Sequence, residues 1–320
     1  MCARLGLNLL WILVFCCPCL AMGLSANEVL LDTPTGRLAG TLLHAADGPR
    51  PVALLIAGSG PTDRDGNSRL LPGKNDSLRL LAEALAGEGI ASLRYDKRGL
   101  GGSSGAALRE SKLRFGHLVD DAERWVAWLR ADARFSRIVV VGHSEGALIG
   151  TLAAREAGAD ALVLLAGAGR GYFAVLREQL RGRLPEVLAQ KSEGIMAELE
   201  AGRTTEDVPK ELAALFRPSV QPYLISLIRH DPARELAALR IPTLIVQGET
   251  DIQVKFEDAG RLFAARPDAR QVLLPGMNHI LKLVPAERAL QLASYSDPTL
   301  PLAPGLVPAI MDFLRDSGIK

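Results

Sequence analysis

The four cysteines of this 320-residue chain, Cys2, Cys16, Cys17 and Cys19, all lie at the extreme N-terminus. Beyond them no thiol remains, which excludes disulfides, a cysteine nucleophile and thiolate metal sites. Aromatic residues are scarce at 5%, so the apolar content comes mainly from Leu, Ala, Val and Ile, the material of buried parallel strands and their covering helices. An excess of charge is missing too. The 37 Lys and Arg against 36 Asp and Glu leave a formal net charge of +1, which gives no reason to expect nucleic acid or an acidic surface as partner. Basic runs, repeats and low-complexity tracts are absent. At this length the chain can bury a large core, as one generous α/β domain or two small ones.

The N-terminal residues, MCARLGLNLLWILVFCCPCLAMG, have a secretory layout. One positive residue, Arg4, precedes an apolar stretch over 5–21, and small residues at Ala21 and Gly23 permit cleavage after Gly23 or, alternatively, after Ala26. A membrane anchor fits less well, because the stretch is short, contains Pro18 and lacks a basic stop signal. Neither Cys16 nor Cys19 follows the Leu-small-small run of a lipoprotein. The expectation is a signal peptide over 1–23 and an exported chain, periplasmic or secreted, with no stable membrane span after cleavage. A core of this size needs no disulfide staples in a bacterial periplasm.

After this segment, EVLLD and GRLAGTLL read as two antiparallel strands at a sheet edge, separated by Thr33-Pro34-Thr35. Strands and helices then alternate. PVALLIAG is a strand, and NDSLRLLAEALAGEG is a helix opened by a capping Asn or Asp and closed at glycine. ASLRYD is a strand followed by the turn KRGLGGSSG. HLVDDAERWVAWLRAD is an amphipathic helix with Leu118, Ala122, Trp125 and Leu129 on one stripe. RIVVVG, a helix, and ALVLLAG follow. Such alternation builds a mostly parallel sheet with helices on both faces. It breaks between Arg170 and Arg240 in a mostly helical insertion, then resumes with PTLIVQG, a helix near Phe256, QVLLPG and a final helix near Val307. The predicted division is a core of 24–170 and 241–320 with a helical lid over 171–240.

The strand Ile138 to Val141 ends on Gly142-His143-Ser144-Glu145-Gly146. This is the G-x-S-x-G pattern, in which a sharp strand-to-helix turn presents a serine oxygen above the sheet. The glycines let strand and helix approach closely and relieve a strained turn.

A serine needs a base within hydrogen-bond reach, and the base works best when a carboxylate fixes its tautomer. His143 directly precedes the serine and reads as a packed or hydrogen-bonded support. His44, in the early hairpin, His117, opening a helix, and His230, ending the insertion, read as surface or capping residues. His279 alone sits in a loop after a late strand, at the sheet edge that carries Ser144. The acid comes from the loop GETDIQV, where Asp251 is preferred to Glu249 because its short side chain reaches inward before the next helix. The oxyanion site needs two backbone amides. Glu145 supplies one, and the loop GSGPTDRDGN supplies the other from Ser59 or Gly60, with Ser59 favoured. A calcium reading of DRDGN fails because its twelfth position is Lys74. Asp63 and Asp65 read instead as loop-fixing acceptors paired with Arg94 or Arg98.

The ordered motifs AGSGPTDRDGN, RYDKRGLGGSS, GHSEGA, IPTLIVQGETD and GMNH together resemble the α/β-hydrolase superfamily, and within it exported bacterial esterases and serine aminopeptidase-like hydrolases. The resemblance runs from about Glu28 to the C-terminus, apart from the lid. It implies Ser144 as nucleophile, Asp251 and His279 as its relay, Ser59 and Glu145 as oxyanion amides, and largely structural roles for Asp96 and Arg98. Ala57 stands where many relatives carry a histidine.

The expected activity is hydrolysis of small or medium carboxylic esters through a Ser-His-Asp acyl-enzyme, with no metal or organic cofactor. A serine aminopeptidase-type peptidase uses the same triad, and a catalytically silent binding protein is the third reading. Lid residues Glu186, Glu193, Glu198 and Glu200 are where a peptidase would hold an ammonium, although they read as a solvated face. Tyr172, Phe173, Leu176, Tyr223, Leu224 and Leu227 either line an acyl pocket or form the insertion's own core.

Overall fold

The computed structural model describes residues 24–45 and 49–320, so the expected signal segment lies outside the described residues. Strands β1 (Leu24–Thr33) and β2 (Gly36–Ala45) form an antiparallel hairpin. The other strands are β3 (Arg50–Ile56), β4 (Ala91–Tyr95), β5 (Phe135–His143), β6 (Ala161–Leu165), β7 (Thr243–Gly248) and β8 (Arg270–Leu274). They join in one eight-stranded sheet ordered β1-β2-β4-β3-β5-β6-β7-β8. β2 pairs antiparallel with β1 and β4, and every neighbouring pair from β4 to β8 is parallel. The hairpin suits the edge because β1 buries no residue fully, whereas β4, β6 and β7 are buried along their whole length, as strands covered on both faces must be.

Strand side chains alternate between faces, and each face has its own apolar cluster. On one face Leu54, Ile138, Val140, Leu162 and Ile245 pack beneath α2 (Phe115–Arg130), α3 (Glu145–Ala157) and α9 (Phe256–Ala265). On the other, Leu55, Val139, Val141, Val163 and Val246 meet α1 (Ser77–Gly87) and α11 (Leu306–Asp316). The stripe Leu118, Ala122, Trp125 and Leu129 is buried as its spacing requires.

Three local features differ from the sequence reading. Of the Asn and Asp expected to cap α1, Asn75 accepts the Ser77 amide at 3.0 Å, whereas Asp76, at the N-cap in a left-handed conformation, φ 52°, makes no cap with its side chain. The loop after β3 has recruited it instead, since its carboxylate accepts from Asn67 at 2.7 Å and from Arg79 at 2.7 Å. The glycine-rich turn after β4 winds into a 3-10 helix over Gly101–Ala106. A short helix, α10 (Arg288–Ser294), lies between β8 and α11 where no element was expected.

Between β6 and β7 the chain forms α4 (Tyr172–Leu180), α5 (Glu186–Glu200), α6 (Ala213–Phe216), α7 (Gln221–Leu227) and α8 (Pro232–Ala237). Phe173, Leu176, Met196, Phe216 and Leu224 belong to the same apolar cluster as α2 and α3, so the insertion packs onto the body rather than around a separate core. At its root, Arg170 donates to the fully buried carboxylate of Asp258 on α9, at 2.9 and 2.7 Å. Among the described residues no helix is long and apolar enough to cross a membrane.

Candidate active site

The site begins where β5 gives way to α3. A Cβ on Gly142 would stand 2.1 Å from the carbonyl oxygen of Gly146, and one on Gly146 would stand 2.3 Å from that of Ile56. Both are backbone contacts that no rotamer change relieves, so glycine is required at each position. The turn forces Ser144 to φ 55° and ψ −119°, a strained conformation for a residue with a Cβ. Ser144 donates its amide to Leu165 at 2.9 Å, while its hydroxyl has no hydrogen-bond partner among the described residues.

His279 follows β8 in the tight turn that packs Met277 against Gly248. Its Nδ1–H donates to Asp251 Oδ2 at 2.8 Å, and both side chains are buried. Asp251 also accepts from the amides of Gln253 and Val254 at 2.7 and 3.0 Å and from Gln247 at 3.0 Å. Burial alone would raise this carboxyl; the adjoining His279 and the donors around it outweigh that effect and hold it below the usual carboxylate range. With Nδ1 occupied, Nε2 is the nitrogen left to take a proton. Glu249, the alternative acid, is exposed.

His143 is brought against His279, with ring centroids 5.0 Å apart, and its Nε2–H donates to the His279 carbonyl at 2.7 Å. Burial and the neighbouring His279 push its pKa down to about 4, so it is a neutral donor that fixes the position of the loop.

A cavity of about 220 Å³ opens onto Ser144 and is lined by Ser59, Glu145, Leu148, Tyr172, Leu176 and Leu227 among others. Ser59 and Glu145, the two expected oxyanion donors, thus meet at one opening. The Glu145 amide is at the first position of α3, where no intrahelical acceptor exists. Glu145 lines the cavity and is only half-buried, yet protein surrounds its carboxyl closely enough that loss of water raises its pKa, against the pull of Lys97 and a hydrogen bond from Tyr223. Among the described residues no group of three or more His, Asp or Glu side chains is placed to hold a metal ion.

This arrangement sits at the carboxyl ends of parallel strands, where open α/β sheets place their sites. The segment 74–211 matches the family model Hydrolase_4, described as serine aminopeptidase, S33. The chain belongs to the α/β-hydrolase superfamily. It is similar to the esterase EstD of Thermotoga maritima, with 30% identity over 238 residues, 73% of this chain and 55% of EstD. An uncharacterised Mycobacterium tuberculosis protein, Rv2307c, is 26% identical over 261 residues, 80% of this chain and 73% of that one. The chain thus spans little more than half the length of EstD. Among solved structures, Est1E from Butyrivibrio proteoclasticus superposes with a TM-score of 0.59 at 18% identity, covering 92% of this chain and 99% of Est1E. The Pyrococcus furiosus esterase Pf2001 does so at 0.56 and 17%, covering 91% and 92%. At such identities these likenesses speak for the fold.

Around the site of this α/β hydrolase, Asp63 accepts from the amides of Asp65 and Asn67 at 2.9 Å each, and Asp65 pairs with Arg94 at 2.7 Å. Arg98 pairs instead with Asp121, while Asp96 holds Arg64 at 2.8 Å and the Gly102 amide at 2.9 Å. His117 accepts from the Arg114 amide at the start of α2, His230 meets Glu235, and His44 lies beside Arg134. Of the insertion's apolar residues, Tyr172, Leu176 and Leu227 line the cavity, whereas Phe173 and Leu224 are core. Glu193 and Glu200 are bound to Arg177, and Glu198 to Arg203, outside the cavity. Two residues escaped sequence reasoning: Gln253, which lines the cavity and donates to Tyr295 at 2.6 Å, and Lys97. The motif RYDKRG displayed Lys97, but nothing local shows where a long side chain ends.

Proposed function

We propose that this chain hydrolyses carboxylic esters of short acyl groups through an acyl-enzyme on Ser144. The observation that carries this reading is a strained serine lining a cavity, next in sequence to His143, whose ring packs on His279, the histidine whose tautomer a buried aspartate fixes. On substrate binding the serine hydroxyl closes to hydrogen-bond distance of His279 Nε2, a contact that commonly tightens only when substrate is bound. His279 takes the hydroxyl proton as Ser144 Oγ attacks the ester carbonyl, and the amides of Ser59 and Glu145 receive the oxyanion. His279 then protonates the departing alcohol, and water, deprotonated by the same imidazole, releases the acid. Asp251 remains ionised throughout and steadies the imidazolium. Similarity to EstD, named an esterase, supports the reading.

The cavity, at about 220 Å³, is smaller than the roughly 300–1,000 Å³ of sites for drug-sized ligands, which favours short acyl chains under the insertion acting as a lid. The test is turnover of p-nitrophenyl acetate, butyrate, octanoate and palmitate beside Ser144→Ala. Fastest hydrolysis of the two short esters, falling to background in the variant, is expected; undiminished turnover by Ser144→Ala would falsify the assignment. A serine aminopeptidase-type activity is the second reading, favoured by the matched family model and by Glu145 on the cavity lining, whose carboxyl could pair with a substrate ammonium. Aminoacyl nitroanilides cleaved while all four esters stand would select it. We further propose, from the layout of residues 1–23, that the chain is exported and cleaved. N-terminal sequencing of the protein from the periplasm or medium should begin at Leu24 or Asn27.

A further inference from the structure

Lys97 is buried, 5% exposed, two residues beyond the end of β4, the strand beside β3. A buried ammonium normally meets a carboxylate, but among the described residues Lys97 forms no ion pair. Its Nζ donates instead to two backbone carbonyls of the loop after β3, those of Gly58 and, at 2.7 Å, Gly60. Burial presses the ammonium toward losing its proton, and the nearby Glu145 carboxyl opposes this.

Those carbonyls flank one residue. A trans peptide holds its C=O and N–H antiparallel, and the described residues contain no cis bond. A grip on the Gly58 carbonyl therefore aims the Ser59 N–H the opposite way. The Gly58 backbone abuts the nucleophile, since a Cβ there would stand 3.2 Å from Ser144 Cβ. The Ser59 amide donates to no atom among the described residues, while the Ser59 carbonyl is tied down by Thr62 at 2.8 Å. Gly60, at φ 67° with open space around it, has no packing to hold it. Among the described residues, the Thr62 bond and the two from Lys97 are the hydrogen bonds that hold the carbonyls of Gly58, Ser59 and Gly60.

We propose that Lys97 is the positioning residue of the oxyanion site, holding the Gly58 and Gly60 carbonyls so that the Ser59 amide faces the oxygen that turns negative when Ser144 attacks. The proposal rests on the acyl-enzyme reading. Lys97 touches no substrate; its contribution is made in the transition state, through the aim of one donor.

The test compares wild type with Lys97→Met, which keeps the length and loses the donors. Active sites are counted by stoichiometric fluorophosphonate labelling, and kcat per labelled site, KM on p-nitrophenyl acetate and inhibition by an alkyl boronic acid, whose serine adduct mimics the oxyanion, are measured. A misaimed donor should lower kcat per site about 10- to 100-fold, leave KM within about twofold, and weaken the boronate in the same proportion. A merely structural lysine would reduce the number of labelled sites and leave kcat per site and boronate affinity unchanged, which overturns the proposal. Should Lys97→Met fail to fold, Lys97→Gln, with one amide donor, is measured in its place. Wild type that neither turns over ester nor takes the label overturns the acyl-enzyme reading and this proposal with it; an active wild type with an unimpaired variant overturns this proposal alone.

Discussion

At the scale of single residues the site is a balance between strain and fixation. Ser144 holds a backbone conformation suited to glycine, so its side chain is kept at a cost of about 1–3 kcal/mol. Replacing it should separate stability from activity. Ser144→Gly is expected to be more stable than Ser144→Ala by about 1 kcal/mol, read as a urea midpoint, with both inactive; equal midpoints would mean that the turn stores no strain. Asp251→Asn keeps the shape but offers His279 Nδ1 the wrong partner, and kcat should fall by roughly 10³- to 10⁴-fold with the fold intact. The placement of these residues was legible in sequence because each sits in a short motif at a strand end: Gly142 and Gly146 around the serine, and Asp251 and His279 in loops of the same sheet edge. Lys97 and Gln253 were not legible. Their contributions depend on where long side chains terminate across the fold, and no spacing along the chain encodes that.

Among the elements, the approach of α3 to β3 and β5 sets the position of Ser144. Gly146→Ala places a methyl group against the Ile56 carbonyl, and backbone must move to admit it. A loss of about 1–3 kcal/mol is expected, together with a fall in kcat as Ser144 shifts; a thermal melt and a single-substrate assay read both. The insertion is tied to the body through Arg170 and Asp258. Arg170→Met leaves a fully buried carboxylate without its cation, and stability should drop by about 3 kcal/mol or more; an unchanged melting temperature would show that the pair holds nothing. The strands and long helices could be read from their apolar periods, since burial on one or both faces writes itself into the pattern. The seven-residue α10 could not, because so short a helix is set by its packing over the His279 loop. Of the Asn and Asp expected to cap α1, Asn75 takes the Ser77 amide, while the Asp76 carboxylate goes to Asn67 and Arg79.

For the whole molecule, acidity is the condition that exposes the design. His143 is held neutral when folded, its pKa pushed down to about 4 from the 6.5 of a free side chain. Its contribution is therefore complete above about pH 6.5 and is lost as pH falls toward 4, because the unfolded chain takes the proton first; the loss is about 3 kcal/mol. Asp121, pushed up to about 6 by burial against the pull of Arg98, works in the opposite sense over part of this range, so the slope of wild type alone decides little. The difference decides. His143→Gln should lose less stability between pH 7 and pH 4.5 than wild type, by urea denaturation at each pH, and parallel curves would remove His143 from the acid response.

The central claim is that Ser144, activated by His279 and Asp251, carries the acyl group. Labelling with a fluorophosphonate, followed by mass mapping of the modified peptide, tests it most directly. One adduct on Ser144 is expected, absent in Ser144→Ala and formed far more slowly in His279→Ala and Asp251→Asn. Ester hydrolysis by wild-type protein with no adduct at Ser144, or an adduct forming at the same rate without His279, would contradict it.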